Sequence, residues 1–208
     1  MPIDLDTLWL FIPISLALNI TPGSDMLFCL GQGIRSGPKA GVAASLGIAT
    51  GSFIRTTLAA LGLAAVIASY PLAFEVIRWS GVAYLLWLAV QVFRQPPGRL
   101  EAVASQGSTF RAWRDGIAVS LLNPKVTIFV LAFLPQFVDP SKGSAFLQFL
   151  ILGAILTLGG MTIGGLVGGF AGSIGRVLAT SRRAARALQM VTGAVFVGLA
   201  FRLAFDRR

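Results

Sequence analysis

Three charged side chains, Asp25, Arg55 and Lys125, stand in stretches that otherwise read as hydrocarbon. Asp25 comes three residues after Pro22 and is followed by Met-Leu-Phe-Cys-Leu. An ionised carboxylate in such a run costs about 3 kcal/mol or more to insert into lipid, so it must face a protein interior or a watery cavity. Two chemistries suit it: binding a substrate ammonium, or carrying a proton through an exchange cycle. The plainer alternative is that Asp25 shares with Ser24 the capping of the helix that resumes after Pro22. Arg55 and Lys125 add two cations to the same interior. A substrate carboxylate would balance them; equally, each can hold free carbonyls of an interrupted helix, or Lys125 can snorkel.

The interruptions are Asn19-Ile-Thr21-Pro22-Gly23 and Leu122-Asn123-Pro124-Lys125. Proline removes a backbone donor and clashes with the preceding turn, leaving carbonyls that need partners. In lipid those partners must be protein groups or water in a cavity. Half-helix starts favour anions and half-helix ends favour cations, so broken helices bind polar ligands at mid-membrane. A single proline reads as a kink. Two, each beside an asparagine and each in the leading apolar run of its half, read as a site. The candidate substrate-binding or ion-coupling residues are therefore Asn19, Thr21, Pro22, Gly23, Ser24, Asp25, Arg55, Asn123, Pro124 and Lys125. Counting about 1.5 Å per residue from the span centres puts Arg55 and Lys125 at similar depth and Asp25 nearer the cytoplasm.

Other chemistry lacks its residues. There is no histidine and one cysteine, Cys29, so imidazole metal ligands, Ser-His-Asp catalysis and an intrachain disulfide are excluded. Asp25 is the one acid well inside an apolar run, too few for a membrane-embedded enzyme. No cofactor is expected, and no phosphate-binding Gly-x-x-x-x-Gly-Lys-Ser/Thr run occurs.

These residues must be positioned by membrane helices. Of 208 residues, 55% are hydrophobic and only 12% charged, a mixture that needs lipid as its solvent. The apolar runs are approximately Leu8 to Leu30, Ala40 to Ala68, Val76 to Phe93, Gly116 to Val138, Ala145 to Gly175 and Ala184 to Phe205. Each suits the roughly 20 residues that a helical span requires. The expected fold is an all-α integral membrane protein of about six transmembrane helices, one domain over residues 1–208, with a polar cytoplasmic linker at about 95–112. The first run has no basic n-region, carrying Asp4 and Asp6 instead, and reads as a retained span rather than a signal peptide.

The net charge of +9 sits between the apolar runs, where it orients a membrane protein rather than binding nucleic acid. With the N-terminus outside, the cytoplasmic connections hold ten bases: Arg35, Lys39, Arg94, Arg99, Arg111, Arg114, Arg176, Arg182, Arg183 and Arg186. Both termini are thus expected outside, although Arg202, Arg207 and Arg208 oppose that orientation. Glu75 and Arg78 read as an exposed helical pair, Asp115 as a boundary charge, and Trp9, Trp79, Trp87 and Trp113 as interfacial or lipid-facing anchors.

The two halves echo each other, about 1–95 and about 111–208. Each begins with a broken helix. Each continues into a glycine-rich run, Gly33, Gly37, Gly41, Gly47 and Gly51 in the first, Gly160, Gly164, Gly168 and Gly172 in the second. Each ends on similar stretches, Ser80-Gly-Val-Ala-Tyr84 and Thr192-Gly-Ala-Val-Phe196. Three spans per half make this an inverted repeat, an architecture common in secondary transporters. The glycine stripes allow close helix approach, within the chain or between subunits of a homo-oligomer.

Ile20-Thr21-Pro22-Gly23-Ser24-Asp25, Gly37-Pro-Lys-Ala-Gly41, Gly47-Ile-Ala-Thr-Gly51, Leu121-Leu-Asn123-Pro124-Lys125 and Phe133-Leu-Pro-Gln-Phe137-Val-Asp-Pro140 together resemble the LysE/RhtB family of amino-acid exporters. The resemblance covers most of the chain. It implies a bacterial inner-membrane exporter of amino acids or close derivatives, driven by proton exchange rather than ATP. The family commonly reads Thr-Pro-Gly-Pro-Asn/Asp in span one, and here Ser24 stands at the second proline, which softens the break and bears on substrate preference. The alternatives are an exporter of another small ion or metabolite, a membrane-embedded enzyme, or a scaffold; a scaffold gains nothing from burying Asp25, Arg55 and Lys125.

Overall fold

The computed structural model describes residues 2–69, 71–94, 108–173 and 182–205. Among these there is no strand, and the chain is an all-α membrane protein. Its helices are α1 (Leu5–Ile20), α2 (Ser24–Ser36), α3 (Pro38–Ser69), α4 (Pro71–Arg94), α5 (Thr109–Leu121), α6 (Pro124–Ile128), α7 (Ala145–Gly169) and α8 (Arg182–Phe205). Beyond α6 the chain continues through a π-helical turn, Phe129–Phe133, and a 3-10 turn, Leu134–Phe137, with another 3-10 turn at Pro140–Lys142.

Two stretches among the described residues, Pro38–Gly62 and Ala145–Gly169, are each long and apolar enough to cross a membrane. The pair α1 and α2, bent by 52°, and the pair α5 and Pro124–Phe137, bent by 50°, meet the same test as broken spans, which makes four. Helices α4 and α8 stand where the third and sixth spans are expected. Each has 24 residues, about 36 Å at 1.5 Å per residue, and their side chains are described in part.

One boundary differs from expectation. Helix α5 begins at Thr109, inside the stretch read as linker, because Ser108 accepts a hydrogen bond from the Arg111 N–H and caps it. The polar residues from Thr109 to Asp115 belong to this helix rather than to a loop. Residues 95–107, with Arg99, lie outside the described residues, as do Arg176, Arg207, Arg208 and the side chain of Arg78 in the expected Glu75–Arg78 pair.

Helix α3 is the hub, packed on α7 and α5 and also touching α2, while α4 packs on α8. Glycine makes the hub possible. A Cβ on Gly168 would fall 2.6 Å from the backbone C and O of Gly41, and one on Gly47 only 2.0 Å from the Trp113 carbonyl oxygen. Gly33, Gly51 and Gly116 face backbone as closely. The stripes therefore serve contacts within the chain. Gly37 is an exception: at φ +88° it makes the turn between α2 and α3, and no neighbour lies within 4 Å of its would-be Cβ.

The main core is aromatic and aliphatic, with Phe11, Phe129, Phe133, Phe149 and Phe196 at 1% exposure or less, joined by Leu18, Leu134, Leu152 and Leu156. Outward faces remain apolar, including Trp9, Leu58, Leu122, Leu158 and Phe201, as lipid contact requires. Trp9, Trp79 and Trp87 are exposed as expected of anchors. Trp113 instead is half-buried and donates to Thr50 Oγ1 at 3.3 Å, linking α5 to α3.

Candidate functional site

Helix α1 stops because Pro22 offers no donor to continue it. Its last turn is tied off locally by the Thr21 N–H and Oγ1, both donating to Ala17 O at 3.1 and 2.8 Å. Of the carbonyls left beyond it, Lys125 takes two: its Nζ donates to Leu18 O at 3.3 Å and Thr21 O at 3.0 Å. A cation at a helix C-terminus also meets the negative end of the helix dipole. Gly23 leaves the space for it, since a Cβ there would lie 3.0 Å from Nζ.

Helix α2 restarts at Ser24 with Gly23 as N-cap and no side-chain cap. The plainer alternative for Asp25, that it shares with Ser24 the capping of this helix, is thus not met. Asp25 sits in the first turn, where a carboxylate is favoured by the dipole, and turns to the other break. Its Oδ1 accepts from Asn123 Nδ2 at 2.7 Å and, more weakly, from Ser24 Oγ at 3.4 Å. Ser24 itself is exposed.

The second break is built differently. Asn123 is the N-cap of α6, its Oδ1 accepting from the Lys125 N–H at 3.0 Å, with Pro124 at the first helical position. One side chain thus caps α6 through its oxygen and holds Asp25 through its nitrogen. Arg55 caps the end of α5: Nη1 donates to Ser120 O at 2.5 Å and Ser120 Oγ at 3.3 Å, and Nη2 to Ser52 Oγ at 3.0 Å. Thr157 Oγ1 also donates to Ser52 Oγ, at 3.2 Å.

Asp25, Asn123, Lys125, Gly23 and the Thr21 carbonyl therefore come together, although a count along straight helices separates Asp25 from Lys125 in depth. The count fails because the 52° and 50° bends break its constant rise. Arg55 stands apart at the end of α5, and no ion pair within 4 Å joins it or Lys125 to Asp25 among the described residues. Asn19 is held by other partners, donating to Leu156 O at 3.0 Å and resting against Gly159 and Gly160 of α7. Pro22 and Pro124 act only through the backbone they interrupt. Ser52, Ser120 and Thr157 were not singled out from sequence; Ser52 lies one turn before Arg55 and Ser120 just ahead of the break, which was the available signal.

A cavity lies against this cluster, lined by Asn19, Thr21, Asp25, Cys29, Ser45 and Lys125 among others, leaving about 40 Å³ for the centres of water molecules. That holds one or two waters and is far below the roughly 300 Å³ of a typical ligand pocket. Among the described residues no group of three or more acidic or cysteine side chains is placed to hold a metal ion.

The family model described as LysE type translocator matches residues 16–207. A leucine efflux protein of Enterobacter sp. is 32% identical over 200 residues, 94% of each chain. A homoserine/homoserine lactone efflux protein of Salmonella typhimurium is 36% identical over 140 residues, 67% of this chain and 68% of that one. An uncharacterized membrane protein of Vibrio cholerae is 29% identical over 199 residues, 94% of this chain and 96% of its own. No solved structure matches.

Proposed function

Because the chain belongs to the LysE type translocator family, we propose that it exports amino acids or close derivatives across the bacterial inner (plasma) membrane in exchange for protons. Relatives named for leucine efflux and for homoserine/homoserine lactone efflux support an amino-acid cargo. The observation that carries the site is the 2.7 Å bond from Asn123 to Asp25, which ties the two helix breaks to each other beside Lys125 and a small cavity.

Asp25 is the group that exchanges the proton. As a carboxylate it accepts a charge-assisted bond from Asn123 and helps to offset the nearby Lys125 ammonium. Protonation removes the charge, weakens that bond and frees the breaks to part, which enlarges the cavity toward the size of an amino acid. The substrate ammonium then competes for the carboxylate that the proton has left. Asn19, Thr21, Pro22, Gly23, Ser24, Pro124 and Arg55 shape or cap the breaks around this exchange.

Two inverted three-helix repeats, about 1–95 and about 111–208 in one domain, suit alternating access. In support, α3 packs on α7 and α4 on α8, each pair holding corresponding places in the two halves. Both termini lie outside on this reading, supported by the ten bases of the odd-numbered connections. The glycine stripes are used within the chain and lend no support to a homo-oligomer.

The test is efflux from cells or proteoliposomes loaded with a panel of amino acids, with and without a pH gradient. Faster efflux than from protein-free vesicles, responding to the gradient, is the expected result; no efflux of any amino acid refutes the exporter. Asp25→Asn and Lys125→Met should each abolish coupled efflux while inserting normally. Gradient-driven transport by both variants would return these residues to structural roles.

A further inference from the structure

Lys125 belongs to α6, yet its ammonium sits on the open end of α1. Of its three hydrogens, one goes to Leu18 O and one to Thr21 O, and the third has no partner among the described residues. Free carbonyls at the end of an interrupted helix make a receptor for a cation, and nothing in that chemistry requires the cation to be tethered to the chain. The bond is also a tie between the two helix breaks, the counterpart of the one that Asn123 makes to Asp25.

The cavity beside this seat has polar groups that are unevenly spent. The Thr21 hydroxyl donates to Ala17 O and the Ser45 hydroxyl to Met161 O, each at 2.8 Å. Asp25 has capacity to spare: both of its bonds fall on Oδ1, and Oδ2 accepts none among the described residues. Lys125 is the one cation and Asp25 the one anion among the described residues that line the cavity. In so dry a place a cargo of one sign upsets that balance. An amine would set two cations against one carboxylate, and an acid would set two anions against one ammonium. A zwitterion brings both signs and keeps the balance.

We propose that the cargo binds by exchanging places with Lys125: its α-ammonium takes the carbonyls of Leu18 and Thr21 together with Oδ2 of Asp25, and the displaced Lys125 ammonium pairs with its α-carboxylate. Lys125 is thus a tethered stand-in for the cargo while the site is empty and the reader of its carboxylate when the site is filled. Three acceptors meet the three hydrogens of a primary ammonium. Solutes that carry both charged ends are bound, and amines, amides or acids that carry one are disfavoured. The exchange also undoes the second tie, since protonation of Asp25 loosens the Asn123 bond and the cargo replaces the Lys125 bond. This inference rests on the exporter reading above and adds how the two ends of the cargo are recognised.

The test is counterflow in proteoliposomes, which needs no pH gradient and so can be read in variants that have lost coupling. Each panel amino acid that the wild type carries is competed by its own amide, which has no carboxylate, and by its deamino acid, which has no ammonium. For leucine these are leucinamide and 4-methylpentanoate. In wild type the amino acid should compete at least about tenfold better than either. Lys125→Met keeps the carbonyls and Asp25 but has nothing to meet a carboxylate. It should bring the preference over the amide to about unity and keep that over the deamino acid. Asp25→Asn should do the reverse, so misfolding of one variant leaves the other and the wild-type competition as tests. A Lys125 that only holds the end of α1 would move neither ratio. Retained preference over the amide in Lys125→Met overturns the proposal, and so does wild-type competition by the amide or the deamino acid equal to the amino acid; each leaves the exporter standing. No counterflow of any panel amino acid refutes the exporter reading and this inference with it.

Discussion

Replacing Asn123 by alanine removes two bonds from one side chain of 3% exposure: the cap on the Lys125 N–H at 3.0 Å and the donor to Asp25 at 2.7 Å. Loss of an asparagine N-cap costs about 1 kcal/mol. Interhelical hydrogen bonds in membranes average about 0.6 kcal/mol and reach about 1.7. This one is short and ends on a carboxylate, so about 1.5 kcal/mol is the appropriate figure. Asn123→Ala should thus destabilise by about 2.5 kcal/mol. Asn123→Ser keeps an oxygen for the cap but is too short to reach Asp25, and should cost about 1.5 kcal/mol. Reversible unfolding in mixed micelles on titration with SDS measures both. Combining Asn123→Ala with Asp25→Ala closes a double-mutant cycle whose coupling should be about 1.5 kcal/mol. Equal losses for alanine and serine, with a coupling below about 0.5 kcal/mol, would mean that the two breaks are not tied through this bond.

Gly168→Ala forces a methyl against the Gly41 backbone and should destabilise by about 1–3 kcal/mol or more. Gly198→Ala, with nothing within 4 Å, should be neutral or stabilise α8 by about 0.5–1 kcal/mol. Thermal melting in detergent separates the two, and equal melting temperatures would contradict the packing of α3 on α7. Gln148, 1% exposed, closes a two-way lock with Asp139, donating to its carbonyl and accepting from its N–H, both at 2.8 Å. Gln148→Leu strips both partners and should cost about 1–3 kcal/mol in the same assay, a loss that an unaltered melting temperature would exclude. Outside the spans, Lys142 pairs with Asp4, and that hydrogen bond raises its pKa above the ordinary 10.5. A raised lysine contributes stability that is complete below its unfolded pKa and fades as pH climbs through the folded one. The melting difference between wild type and Lys142→Ala, small for so exposed a pair, should therefore be constant from neutrality to about pH 10 and vanish only above it. A difference that vanished between pH 7 and 9 would rule out Lys142 as its source.

Much of this molecule was legible in one dimension. Hydrophobic runs long enough to span, and the prolines that interrupt two of them, are local properties: lipid demands the first, and loss of a backbone donor fixes the second wherever the chain goes. Glycine at four-residue spacing likewise announced flat helix faces, and Gly41 meets Gly168 on two of them. The start of α5 was missed because charge was read as loop where a serine cap began a helix.

The sequence by itself determined that Asp25, Arg55 and Lys125 must find polar company, because the cost of burying charge does not depend on the fold. Only the tertiary structure decided which company. Lys125 reaches carbonyls 104 and 107 residues away, Asp25 is held from 98 residues away, and Arg55 turns to Ser120 rather than to Asp25. Those choices depend on the rotation of each helix and on the 52° and 50° bends, which set where a side chain arrives by the packing of all the helices at once.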